Sequence, residues 1–156
     1  MTRGVLLDTN LLIGAFDDTG STSEEQRAKA KEQLTTLLSD PYVALAITPL
    51  IRYEVLRGIS LQEDERFEQM KRALGGFEEF DIGRDVSELA ANLFRFDRNE
   101  VTQSGENRNI EKRKFDVFHL ASAECNALEL ASDDSDISKL KSLHDRFIES
   151  INHNEK

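Results

Sequence analysis

The stretch Gly4-Val5-Leu6-Leu7-Asp8-Thr9-Asn10 decides the fold, because an apolar run here gives way at once to polar residues. Its first four residues predict a short buried strand, and Asp8 then stands at the carboxyl end of that strand. In open α/β sheets the ligand crevice lies at this end of the strands. An aspartate in such a place more often caps the following helix. The stretch Leu130-Ala131-Ser132-Asp133-Asp134 repeats the pattern late in the chain, and this repetition favours a functional site.

The composition indicates a single folded domain. The chain has 156 residues, of which 32% are charged and 38% hydrophobic, which suits a sheet covered by helices. No apolar run approaches the ~20 residues of a membrane helix, and the first predicted strand begins too early for a signal peptide. A single cysteine, Cys125, excludes an internal disulfide and suits a reducing compartment. We therefore expect a soluble cytoplasmic protein.

The net charge limits how the chain can meet nucleic acid. With 30 acidic and 20 basic residues the formal charge is −10, which argues against a broad basic surface for nonspecific polyanion binding. The charge does not exclude an enzyme that acts on nucleic acid, because divalent cations can neutralise an acidic pocket and basic residues can cluster locally.

Apolar periodicity predicts strands that alternate with helices. Strands are predicted over residues 4–7, 43–47, 77–82 and 128–131. Helices are predicted over residues 11–16, 23–39, 49–57, 62–74, 85–96, 115–126 and 136–151, with a polar loop over 97–110. This alternation is typical of a parallel sheet with right-handed crossovers. We expect one domain over residues 1–152 and a frayed tail over 153–156.

Acidic residues stand out by their position in the predicted elements. They are Asp8 after the first strand, Glu54 in the helix after the second, Asp116 near a helix start and Asp134 after the last strand. Glu54 is the most informative, because an acid among apolar helical residues is costly unless it is paired or binds a cation. Taken singly, each is more often a cap or half of a salt bridge. Together they fit a Mg²⁺ or Mn²⁺ site, since a cation relieves the repulsion between converging carboxylates.

Several segments of the chain follow the order and spacing of a known set of motifs. They are Val5-Leu6-Leu7-Asp8-Thr9-Asn10, Tyr53-Glu54-Val55-Leu56-Arg57-Gly58, Phe115-Asp116-Val117-Phe118-His119-Leu120-Ala121-Ser122-Ala123 and Leu130-Ala131-Ser132-Asp133-Asp134-Ser135-Asp136-Ile137. The set resembles the motifs of the PIN domain, and most closely its VapC branch, the toxins of bacterial and archaeal toxin–antitoxin pairs. The resemblance spans nearly the whole chain.

The resemblance implies a fold and an activity. The fold is a three-layer α/β/α domain with a central, mainly parallel sheet of four or five strands, and the activity is that of a Mg²⁺- or Mn²⁺-dependent endoribonuclease. Asp8, Glu54 and Asp116 match three of the acidic positions of the family. The fourth follows a hydroxyl residue and one further residue, which selects Asp134. Asp133 takes that place if the last strand ends one residue earlier.

The family's chemistry also implies roles and partners. Asp8, Asp116 and Asp134 would hold the metal, and Glu54 would orient or deprotonate the attacking water. The polar residues that support the carboxylates are matched by Asn10 and Ser132. A cognate antitoxin and a homodimer are further implications, and the sequence does not identify the RNA.

Other residues have more than one interpretation. A basic cluster of Arg108, Lys112 and Arg113 either meets RNA phosphate or forms a solvated helix start. His119 lies on an apolar helix and is interpreted as a packed histidine rather than a metal ligand. Cys125 is interpreted as a core residue.

Two other functions fit parts of the pattern. A phosphoryl-transfer or receiver-type α/β domain also gathers aspartates around Mg²⁺, but it needs a lysine at a strand end that is not seen here. A catalytically silent PIN-like interaction domain would keep the fold without the chemistry, and the presence of all the acids argues against it. Metal-dependent cleavage of RNA separates these possibilities.

Overall fold

The computed structural model describes residues 2–16, 23–105, 110–132 and 137–154. Within these ranges the elements follow in the order β1 (Arg3–Leu7), α1 (Thr9–Phe16), α2 (Glu24–Ser39), β2 (Val43–Ile47), α3 (Pro49–Arg57), α4 (Asp64–Leu74), β3 (Glu78–Glu79), α5 (Arg84–Ser104), α6 (Ile110–Cys125), β4 (Glu129–Ala131) and α7 (Ile137–Asn154). The predicted alternation of strands and helices is confirmed.

The described strands form one parallel sheet in the order β3-β2-β1-β4. Strand β1 lies inside the sheet, where Val5 is in register with Leu45 of β2 and Leu6 with Leu130 of β4. Because neighbouring strands run in the same direction, their carboxyl ends meet at one edge of the sheet. The predicted α/β fold with a parallel sheet is confirmed.

Helices cover both faces of β1. Successive side chains of a strand point to opposite faces, and both Leu6 and Leu7 are 0% exposed. One apolar core joins the sheet to helices α1 to α4. A second core lies between α5, α6 and α7, and Ala123 connects α6 to the first core as well. Helix α6 is therefore fixed against the sheet, which matters because it carries Asp116.

Two helices begin where capping residues predict them. The Ser23 hydroxyl accepts a hydrogen bond from the Gln26 backbone N–H at 3.2 Å and caps α2. The Thr48 hydroxyl accepts one from the Ile51 backbone N–H at 3.2 Å and caps α3. Since Thr48 directly follows β2, this cap fixes the distance of Glu54 from the end of that strand.

The loop predicted over residues 97–110 is wrong over 97–104 and at Ile110, which are helical, while residues 106–109 lie outside the described part of the chain. Helix α5 runs on to Ser104 and ends at Gly105, whose φ of 71° is the left-handed conformation that glycine tolerates. The buried stripe of α5 continues through Asp97, a polar residue, and most of the following turn is exposed. The segment therefore lacks the apolar period on which the prediction depended. Helix α6 begins correspondingly early, at Ile110.

Other boundaries also differ from expectation. Strand β3 comprises only Glu78–Glu79 of the predicted residues 77–82, and both residues lie exposed at the edge of the sheet. Cys125 is exposed at the end of α6, so its interpretation as a core residue is wrong. Helix α7 extends to Asn154, and the domain boundary at residue 152 stays a prediction. Among the described residues, no helix combines the length and apolarity needed to cross a membrane.

Candidate active site

Asp8 lies between the ends of β1 and β4. Its backbone N–H donates to the carbonyl of Ala131 at 2.9 Å, which continues the pairing of the two strands. The Ser132 hydroxyl donates to Asp8 Oδ2 at 2.7 Å. Asp8 is only 8% exposed, so its carboxylate is positioned by the sheet and by the first residue after β4. The supporting role of Ser132 stays a prediction, but its contact with Asp8 is the geometry that the role requires.

Glu54 reaches the same edge of the sheet from helix α3. Its side chain is 11% exposed, and its Oε1 accepts a hydrogen bond from the Thr9 hydroxyl at 3.0 Å. The Nε2 atom of His119 lies 2.5 Å from the same oxygen. The other oxygen, Oε2, lies 4.0 Å from Nη2 of Arg57. These polar contacts are the compensation that a nearly buried carboxylate requires.

His119 connects the acids of the site. Its side chain is 2% exposed, and its Nε2 lies 3.9 Å from Asp8 Oδ1 as well as 2.5 Å from Glu54 Oε1. It follows Asp116 by three positions on α6, so both side chains lie on one face of the helix. The interpretation of His119 as a packed histidine agrees with its burial but missed its contacts with the acids. The spacing from Asp116 was the available signal.

The acids act together on the imidazole. Burial lowers the pKa of His119, but the hydrogen bond to Glu54 and the charges of Asp8, Glu54 and Asp116 outweigh it, so the pKa lies above the usual 6.5. When the ring is protonated, its Nε2–H donates to Oε1 of Glu54. Asp116 itself is half-buried. Three of the predicted acids thus surround one imidazole.

The structure describes the remaining predicted site residues only in part. Asp134 and its alternative Asp133 lie outside the described residues, although Ser132, which precedes them, already contacts Asp8. Asn10 is exposed in the first turn of α1. The roles of all three stay predictions.

The predicted basic cluster is described only at Arg113. The Arg113 side chain is 13% exposed, and its Nε lies 3.7 Å from Oδ2 of Asp97, which is 1% exposed. This pair lines an open cleft of about 930 Å³ between α5, α6 and α7. Arg108 and the side chain of Lys112 lie outside the described part of the chain. Contact of the three with RNA stays a prediction.

The donor set suits a hard divalent cation. Mg²⁺ and Mn²⁺ prefer carboxylate oxygens, and Mg²⁺ usually keeps several waters beside one or two carboxylates. Asp8, Glu54 and Asp116 supply such oxygens at the carboxyl edge of the sheet. In the part of the chain that the structure describes, no three His, Cys, Asp or Glu side chains form a ready-made metal cage. A cation held by Asp8 and Asp116 would complete its coordination with water.

The parallel sheet and its acidic edge agree with the result of a family comparison. The model of the PIN domain matches residues 5–143, and the chain belongs to the PIN domain family. No curated protein matches it in sequence.

Solved structures of similar fold include toxins of toxin–antitoxin pairs. A chain of a toxin–antitoxin complex from Klebsiella pneumoniae is 25% identical, with a TM-score of 0.56 over 84% of this chain and 87% of that one. VapBC2 from Rickettsia felis, bound to a fragment of its promoter DNA, is 16% identical, with a TM-score of 0.60 over 88% and 92%. VapC20 from Mycobacterium tuberculosis, a toxin that cleaves the sarcin–ricin loop, is 14% identical, with a TM-score of 0.58 over 86% and 93%.

Proposed function

We propose that this protein is a Mg²⁺- or Mn²⁺-dependent endoribonuclease and the toxin of a type II toxin–antitoxin pair. The observation that carries the proposal is the gathering of Asp8, Glu54 and Asp116 around His119 at the carboxyl edge of the sheet. Membership of the PIN domain family supports the nuclease activity. The similarity to a chain of a toxin–antitoxin complex supports the role as a toxin.

The proposed reaction is hydrolysis of an RNA phosphodiester by water. Asp8 and Asp116, with Asp134 as the fourth acid, would hold the cation. A bound Mg²⁺ or Mn²⁺ ion supplies a lowered pKa for water and neutralises charge on the phosphate. Glu54 orients the attacking water and accepts its proton. Water forms a new bond to phosphorus while the bond from phosphorus to the ribose 3′-oxygen breaks, so the products carry the 5′-phosphate and 3′-hydroxyl that the family resemblance implies.

The contacts of Glu54 fit this role. Thr9 and His119 both engage Oε1, whereas among the described residues Oε2 has only the 4.0 Å contact with Arg57 and can still accept a hydrogen bond from water. Thr9 adjoins Asp8 in sequence, and His119 shares a helix face with Asp116. Glu54 is therefore held by the two segments that also carry Asp8 and Asp116, which are the end of β1 with the start of α1, and helix α6. The positions of these acids relative to one another are set before substrate binds.

The partners form part of the same proposal. We expect a cognate antitoxin, a homodimer and a cytoplasmic location, and the neighbouring toxin–antitoxin complexes support the first of these. Family membership displaces the receiver-type alternative. A catalytically silent PIN-like domain is the alternative that experiment decides.

The test is cleavage of RNA by the wild type, Asp8→Asn and Asp145→Asn, with Mn²⁺ and with EDTA. Asp8→Asn is nearly isosteric and removes one charge. We expect cleavage to fall by more than about a hundredfold, because loss of a residue that only supports a metal ligand already costs 10–100-fold. Asp145 is exposed on α7 and serves as the control. Equal cleavage by Asp8→Asn would show a contaminant. No cleavage of any RNA, together with no Mg²⁺-dependent rise in melting temperature, would establish the silent alternative.

A further inference from the structure

Arg57 lies at the rim of the acidic site, between two aromatic rings. Its guanidinium carbon is 5.4 Å from the ring centroid of Tyr53 and 5.1 Å from that of Phe115. Its Nη2 lies 4.0 Å from Oε2 of Glu54. Tyr53 precedes Arg57 by one helical turn on α3, and Phe115 directly precedes Asp116 on α6. The guanidinium therefore spans the two helices that carry these acids.

The hydrogen-bond donors of Arg57 are available to a ligand. Its side chain is 47% exposed, and its contact with Glu54 is at the long limit of an ion pair. Its guanidinium donates no hydrogen bond to any residue that the structure describes. By contrast, the Nε of Arg3, which is similarly exposed, lies 2.6 Å from the carboxylate of Glu129. Arg57 is held in place by rings rather than by an acid that occupies its N–H groups.

The chemistry of this arrangement favours a phosphate. A planar guanidinium donates two parallel hydrogen bonds to phosphate oxygens, and its stacking on rings reduces the freedom it loses when it does so. A cation at this rim also lessens the repulsion that the carboxylates exert on an approaching RNA backbone.

Tyr53 adds a second kind of contact beside the guanidinium. Its side chain is 54% exposed, so part of the ring is open to solvent next to Arg57. Unpaired bases of RNA stack on exposed aromatic rings, and this stacking contributes to affinity without selecting one base. A paired duplex keeps its bases inside and offers no such contact.

We propose that Arg57 and Tyr53 form a subsite for one nucleotide of single-stranded RNA beside the acidic site. Arg57 binds a backbone phosphate next to the bond that is cut, and Tyr53 stacks on the adjoining base. The inference rests on the proposed ribonuclease function and deepens it, because it names residues beside the acids that bind the RNA.

The first test measures binding without cleavage. In the Asp8→Asn background with Mg²⁺ present, a labelled single-stranded RNA of about ten nucleotides is titrated over a range of salt concentrations. We expect Arg57→Ala to weaken binding about tenfold, since it removes a charged hydrogen bond. The slope of log affinity against log salt should become shallower by about 0.7, the value for one phosphate contact on a single strand. The control Arg3→Ala removes the same charge at the opposite end of β1, and it should change neither quantity.

Conservative variants separate the contribution of the paired guanidinium donors of Arg57 from that of its charge. Arg57→Lys keeps the charge, so it should preserve the salt slope while kcat/KM in the Asp8-containing protein falls about tenfold. Tyr53→Phe should bind RNA like its parent, whereas Tyr53→Ala should weaken binding about fivefold or more. Thermal melts of each variant establish that it is folded.

The outcomes distinguish the subsite from the function on which it rests. Equal affinity and slope for Arg57→Ala and Arg3→Ala would overturn the subsite, while metal-dependent cleavage by the wild type would leave the ribonuclease function standing. Arg57-dependent binding by a wild type that cleaves no RNA would overturn the ribonuclease function and leave the RNA contact. Absence of any RNA binding would overturn both.

Discussion

Two polar clusters of the molecule differ in their charge balance. The acidic cluster, at the carboxyl edge of the sheet, consists of Asp8, Glu54, Asp116 and His119. The paired cluster, between α5, α6 and α7, consists of Asp97, Glu100, Arg113 and Arg146. Among the described residues, the first sets three carboxylates against the imidazole of His119, with Arg57 at its rim 4.0 Å from Glu54, whereas the second has two carboxylates and two guanidinium groups.

The two clusters differ in how far their charges are balanced within the fold. In the paired cluster Arg146 donates two hydrogen bonds to Glu100, at 2.8 and 3.0 Å, and the charges cancel within the fold. The acidic cluster keeps an excess of negative charge, which makes folding harder rather than easier. Groups that perturb one another in this way are concentrated at functional sites. Charge imbalance, rather than burial, separates the two clusters.

The largest effect on stability is expected in the paired cluster. Asp97→Asn leaves the Arg113 guanidinium, whose side chain is 13% exposed, without its counter-charge. Removing one partner of a buried pair costs about 3–5 kcal/mol in the free energy of unfolding, because the other charge stays buried. Urea unfolding at neutral pH measures the loss.

A matched variant of the same cluster checks the cause. Glu100 and Arg146 are more exposed, at 23% and 39% of their side chains, so Glu100→Gln should cost less than about 1 kcal/mol. If Asp97→Asn lowers the free energy of unfolding as little as Glu100→Gln, Arg113 has found another partner. The paired cluster would then not depend on balanced charges.

A smaller effect, on activity, is expected from His119→Gln in the acidic cluster. Glutamine can donate a hydrogen bond but carries no charge and is too flexible to hold Glu54 as the packed ring does. Loss of a positioning contact of this kind usually costs 10–100-fold, on the order seen around metal sites. We expect kcat to fall by about that factor while KM changes little, as steady-state cleavage assays would reveal. A rise in KM alone would mean that His119 acts on substrate binding instead.

The pH dependence of the stability of His119→Gln, compared with the wild type, tests the raised pKa of His119. Its pKa is raised in the folded state, so protonation stabilises the fold. This contribution is fully present below the unfolded pKa of about 6.5 and is lost as pH rises through the folded pKa. In EDTA, the stability advantage of the wild type over His119→Gln should therefore shrink as the pH rises above 6.5. An advantage that grows with pH over this window would contradict the raised pKa.

The sequence was most informative where polar residues interrupt apolar runs. Strand β2 was predicted with its observed bounds. Asp8 was selected because it ends an apolar strand, and Glu54 because it lies inside an apolar helix. Each of these signals is local, since it depends on the few residues on either side.

The contacts that make these residues a site were not local. Thr9 lies 45 positions from Glu54, and His119 lies 65 positions from it. No pattern within a single element reports such a pairing. Asp97 was missed for a different reason: it completes the buried stripe of α5 with a polar side chain, and the exposed residues after it resemble a loop.

The smallest effect on stability is expected from Asp8→Asn, although it is the variant that should stop cleavage. Asparagine can still accept the hydrogen bond of Ser132, and the substitution removes one of the mutually repelling charges. In EDTA we expect the unfolding free energy to change by less than about 1 kcal/mol, towards greater stability. Adding Mg²⁺ should reverse the order, because a cation that binds only the folded wild type raises its melting temperature. A large loss of stability in EDTA would instead show that Asp8, like Asp97, belongs to the structural charges of the fold.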